Sequence, residues 1–177
     1  MQNSFIPQRS ILAETIDMAW PAILESFFVA FAGLVDSYMV SSLGSTAVAA
    51  VGLTTQPKFL GLSMFFAANV AISALVARRK GEQKQDAANA IALTSLIFVI
   101  ISSLLIGISL CLAADPIMRF CGSTKNTHAY AVEYYQIIAG CMIFSVVQMA
   151  VNAAQRGAGN TRISMRTNMT SNTINII

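Results

Sequence analysis

Residues 90–114 form a run of 25 without one charged side chain, closed by Asp86 before it and Asp115 after it. At about 1.5 Å per residue a helix of this length crosses the roughly 30 Å hydrocarbon layer of a bilayer. A helix on the surface of a soluble domain would need a polar face, and this run has no charge to build one. The composition carries the point to the whole chain. Hydrophobic residues make up 55% of the 177 and charged ones 11%, with a mean hydropathy of +0.64. Soluble domains carry about a quarter charged residues. Eleven basic and eight acidic side chains suit the ends of several membrane helices far better than the surface of a globule. The net charge of +3 is too small to mark a nucleic-acid binder.

Four further segments have span character. Residues 18–40 are long enough but carry Pro21, Glu25 and Asp36, and residues 59–77 are uncharged and contain Asn69. Residues 134–155 lie between Glu133 and Arg156, and another segment, 163–177, runs to the last residue. The joints carry turn chemistry. Residues 41–46, SSLGST, offer a tight turn with a Ser/Thr cap for the next helix; residues 78–86, RRKGEQKQD, form a charged loop around Gly81. Residues 115–126 hold Pro116 and Gly122, and residues 156–162, RGAGNTR, are glycine-rich but match no nucleotide fingerprint. The first residues lack a basic stretch followed by a short apolar core and a small-residue cleavage site, so the first segment is expected to be a retained span. With the N-terminus inside, eight of the Lys and Arg residues fall inside and three (Lys58, Arg119 and Lys125) outside, which predicts an N-in topology.

Several chemistries have little to work with. Cys111, Cys121 and Cys141 form no CxxC pair and His128 is the sole histidine, so no metal site and no organic cofactor are expected. An intramembrane hydrolase would need a nucleophile with a base or a metal within the spans; no G-x-S-x-G is present, and an enzyme is not expected.

The informative residues are polar ones inside spans. A charge near the centre of a span costs about 2.5–3.5 kcal/mol on insertion scales. Glu25 and Asp36 are eleven residues apart, about three helical turns with a 20° offset, which puts both on one stripe about 16 Å apart. Each has two readings: a carboxylate reaching interfacial water, or one facing the bundle interior where a proton or sodium ion neutralises it. Pro21 removes a backbone hydrogen bond and is expected to bend the inner end of this helix. Asn168, Asn172 and Asn175 fall at i, i+4 and i+7, one helix face, flanked by Ser164 and Ser171. Such a stripe is either glue between helices or the polar wall of a cavity. Ala67, Ala68, Ala71, Ser73 and Ala74 would allow a neighbouring helix to approach closely.

Taken in order, several stretches resemble one family. PAILESFFVAFAGLVDSYMVSSLG followed by AVAAVGL is similar to the first helix and a half of the MATE (multidrug and toxic compound extrusion) transporters, with GLVDSYMV close to the family's G-hydrophobic-V-D-T-x-M-V pattern. ALVARRKGEQKQDAANA, AVEYYQI and AAQRGAGNTRISM resemble its second turn, the start of its fourth helix and the R-G-x-G-[DN]-T-R loop before the fifth. The resemblance implies an all-α, polytopic transmembrane bundle: helices one to four and part of five of the N-terminal lobe of a twelve-helix protein, residues 1–177 being part of that lobe. It implies export of cationic or amphipathic small molecules by alternating access, in exchange for sodium or protons. The partners would be the lipid bilayer of the plasma membrane and the C-terminal lobe of the same protein, with no nucleic acid. Asp36 matches the first-helix acid proposed as a cation site, Pro21 the proline whose bend has been linked to it, and Asn175 the asparagine of N-x-x-x-[DN] on helix five, whose next polar position is 179. Glu25 has no equally firm family role; with Asn168 and Asn172 it is a candidate cavity-lining residue on the reading of the residues alone. The alternatives are a lipid-linked oligosaccharide flippase of the same superfamily, which would favour basic residues in the cavity, and a non-catalytic structural subunit of a membrane assembly. Single cysteines introduced as Gly44→Cys, Gly81→Cys, Gly122→Cys and Gly159→Cys in a cysteine-free background should label with an impermeant thiol reagent in alternation, out, in, out, in. Labelling from one side alone would contradict this topology.

Overall fold

In the computed structural model the backbone is described for residues 8–176, and side chains for residues 16, 19–21 and 23–174. The described residues form α-helices joined by short turns: α1 (Gln8–Ser41), α2 (Ser45–Gly81), α3 (Gln85–Leu112), α4 (Ala114–Phe120), α5 (His128–Gly157) and α6 (Thr161–Ile176). Residues Ala19–Ser41 of α1, and α2, α3 and α5 in full, are long and apolar enough to cross a membrane. The chain is thus an all-α, polytopic bundle.

Residues 37–159 make one compact unit. Its axis is α5, which buries Ala131, Tyr135, Ala139, Met142, Val146, Ala150, Ala153 and Gly157 at steps of three or four. Steps of that size keep one face of an α-helix continuously inward. In one core, Met142, Val146, Ala150 and Ala153 meet Phe65, Ile72 and Val76 of α2 and Ala88 and Val99 of α3. A second core joins Ala131 and Tyr135 to Ala50 of α2 and to Ala114 and Met118 of α4. Small residues let backbones come close: a Cβ on Gly107 of α3 would stand 2.9 Å from the carbonyl oxygen of Ala139 on α5. The exterior is apolar, with Leu60, Val70, Leu93, Leu105 and Phe144 exposed. Lipid solvates such a surface, and the helices satisfy most backbone polar groups internally, Pro21 and Pro57 being interruptions.

Several local expectations need correction. Helix α2 begins at Ser45, well before residue 59, and is 37 residues long, about 55 Å. Its first turns pack on α4, a short helix in the stretch read as a Pro/Gly loop. No Ser/Thr side chain caps α2. The residue before it is Gly44, whose φ of 99° makes the sharp reversal, and the turn is closed by Leu43 N–H to the Val40 carbonyl at 3.1 Å. In the next turn the left-handed residue is Gln83, φ 60°, not Gly81. Of the small residues in this stretch of α2, Ala67, Ala71 and Ala74 are exposed, while Ser73 is half-buried and is where α5 approaches closely.

Two turns are tied by charge. Glu82 accepts from Arg79 Nη1 at 3.0 Å and pairs with Arg78 and Lys84, each at 3.3 Å. The Arg79 and Lys84 bonds hold its carboxyl down at about 2. Asp115 accepts from Arg119 Nε at 2.8 Å and meets His128 Nε2 at 2.9 Å, linking α4 to the start of α5; these bonds, Arg119's first, hold it at about 2. His128 Nδ1 in turn lies 2.7 Å from Ser123 Oγ. Because both carboxyls are depressed in the folded state, their support is complete above the ordinary carboxylate range and fades as pH falls towards 2. Glu82→Gln and Asp115→Asn should each flatten the loss of thermal stability between about pH 4.5 and 2. An acid limb unchanged in both variants would contradict the two ties.

Candidate functional site

The second unit comprises residues 1–36 and 160–177, so it holds every residue singled out on the first and last helices. Pro21 lies inside α1 and is buried, and having no N–H it leaves the carbonyl four residues earlier without its helical donor. Glu25 follows one turn later and is half-buried. Its Oε1 accepts a hydrogen bond from Nδ2 of Asn168 on α6. Asn168 is 9% exposed and Ser164, one turn before it, 1% exposed, so the polar stripe is the inward face of α6. Asn172 continues that face and is half-buried, and its Nδ2 is shut off from solvent with no hydrogen-bond partner.

The predicted residues therefore divide. Glu25 and Asn168 come together, and Asn172 lies one turn further along the same face of α6. Asp36, near the end of α1, is exposed. Asn175 belongs to α6 by its backbone, but its side chain lies outside the described residues.

The unit of residues 37–159 holds polar links that sequence reasoning missed. Arg156 Nη2 donates to Asn69 Oδ1 at 3.2 Å, joining the end of α5 to the middle of α2. The two line a cavity of about 400 Å3 with Ser73 and Gly157. Lys80 Nζ donates to the carbonyl of Ala158. The RGAGNTR stretch explains its own glycines here. A Cβ on Gly157 would collide with the Ser73 carbonyl oxygen and stand 3.0 Å from Val76 Cβ, while Gly159 takes a φ of 77°. Asn69 in an uncharged span and Arg156 beside that glycine were the available signals; neither said which helix it would meet. A larger cavity of about 650 Å3 lies among Pro57, Leu60, Ile117, Phe120 and Tyr135 and is almost wholly apolar.

Four helices long and apolar enough to cross a membrane define a multi-pass membrane protein. The comparisons with known proteins give the family. Residues 21–177 match MatE, and the chain belongs to that family. It is 28% identical over 179 residues to a probable multidrug resistance protein, NorM, of Thermotoga maritima, covering 98% of this chain and 38% of that protein. It is 24% identical over 159 residues to the uncharacterized transporter YisQ of Bacillus subtilis, covering 90% of this chain and 35% of the relative. A crystal structure of a MATE in complex with MaD5 superimposes with a TM-score of 0.85 at 27% identity, over 92% of this chain and 37% of that one. The chain thus spans little more than a third of the length of these relatives.

If Gly157 is glycine because α2 passes so near, Gly157→Ala should cost about 1–3 kcal/mol of stability, as overpacking does. Thermal unfolding in detergent checks it, and an unchanged midpoint would show that α2 and α5 are not in close contact there.

Proposed function

We propose that this chain is part of the N-terminal lobe of a secondary active exporter that moves cationic or amphipathic compounds out across the plasma membrane in exchange for protons or sodium ions. The single observation that carries the reading is Asp36, an acid in the apolar stretch GLVDSYMV near the end of a spanning helix, in a chain of the MatE family. The multidrug-resistance name of the Thermotoga relative supports the substrate class.

In this mechanism a proton or sodium ion enters from outside and neutralises Asp36. The neutral side chain no longer carries the cost of a charge held in lipid, so helix α1 is stable in a different position. An ion shifts two states only by its difference in affinity between them. Asp36 is therefore better ligated in one of them, with Asn175 on α6 supplying an amide oxygen. The N-terminus is cytoplasmic, so that Arg78, Arg79, Lys80 and Lys84 stay inside. The bundle contributes one wall of the transport pathway and the other lobe supplies the opposite wall.

In the full-length protein Asp36→Asn should lower ion-driven efflux at least tenfold while leaving membrane expression and thermal stability unchanged. Undiminished efflux would remove Asp36 from the coupling role, and loss of efflux together with loss of expression would make it a structural residue.

A further inference from the structure

We infer that Glu25, Asn168 and Asn172 form a proton-binding site within the membrane, separate from Asp36. The inference uses the reading of α1 and α6 as spans of a transporter and goes beyond it, since Asp36 takes no part. Asn168 Nδ2 donates to Glu25 Oε1. One turn along the same face, Asn172 presents an amide nitrogen that is enclosed and has no partner. A buried polar group without a partner costs stability, and retaining one beside a half-buried acid marks a place where hydrogen bonds rearrange.

The chemistry of these groups selects a proton over a metal cation. Sodium needs several oxygen ligands, whereas the asparagine that reaches Glu25 does so through an N–H donor. Turned the other way, that amide would bring its oxygen against a carboxylate of like partial charge. The one N–H donor engages Oε1 alone and leaves Oε2 open to a proton. In the step itself one proton from water adds to Oε2, the oxygen that Asn168 does not engage. The carboxylate becomes a neutral acid, and Oε1, now the carbonyl oxygen, keeps the Asn168 bond. Loss of the proton reverses both changes, with no other reactant.

Charged groups near the site are few. On α6 they are Arg162 and Arg166; Arg166, two residues before Asn168, is about 200° away around the helix and lines a separate cavity with Thr167 and Thr170. On α1 they are Asp36, about 16 Å along the axis, and Arg9, Glu14 and Asp17, whose side chains lie outside the described residues.

Infrared difference spectroscopy of the full-length protein in nanodiscs, titrated with acid, reads the proton on the carboxyl itself. Protonated-carboxyl absorption should grow on acidification with one band that is missing in Glu25→Gln and present in Asp36→Asn. Asn168→Ala should keep the band but shift its frequency, because the amide bond to Oε1 is gone; this variant serves if Glu25→Gln fails to fold. Added sodium at fixed pH should leave the band unchanged. A Glu25→Gln titration identical to that of the parent, or an Asn168→Ala band at the parent's frequency, would overturn the site. Bleaching of the band by sodium would make it a cation site instead. Failure of Asp36 in its efflux test would leave this band in place, so the two assignments fail separately.

Discussion

Water is scarce inside the hydrocarbon layer, so each polar group that enters it must bring its own partner. The backbone does this by forming helices. Side chains do it in pairs, Glu25 with Asn168 and Asn69 with Arg156, which reaches it from the end of α5; at the helix ends Lys80 likewise meets the Ala158 carbonyl. Each bond joins helices or turns far apart in sequence, so each also fixes which helix neighbours which. The rest of the packing is small residues on α5 admitting α2 and α3, with no charge to satisfy.

How much of this was legible follows from how local each cause is. The spans around 90–114 and 134–155 were readable because lipid imposes one rule on every residue of a span. The full length of α2 was not, because residues 45–57 carry no charge and their partner, α4, lies some sixty residues later and has a loop-like composition. The glycines of RGAGNTR announced a turn; that Gly157 also yields space to Ser73 is visible only once α2 is beside it. The asparagine stripe was readable from helical spacing, since a face is a property of one helix. Its partner was not, since Glu25 and Asn168 stand 143 residues apart and periodicity is silent about distance. Asp36 was singled out by the cost of a charge in a span, and that argument cannot distinguish an acid that is exposed in the unit, as Asp36 is, from one that is enclosed.

The two acids of α1 then describe a helix with polar stations on one stripe about 16 Å apart. The inner one, Glu25, already accepts from one amide, that of Asn168. The outer one is exposed and, in the proposed exporter, takes its ion from the outside.

The central claim is that a cation gradient drives this bundle. The most direct measurement is movement of a fluorescent cationic compound in proteoliposomes holding the full-length protein, with a proton or sodium gradient imposed and then collapsed by an ionophore. The account predicts transport against the compound's own gradient that stops when the cation gradient is collapsed. Transport that continues at the same rate without either gradient would contradict it.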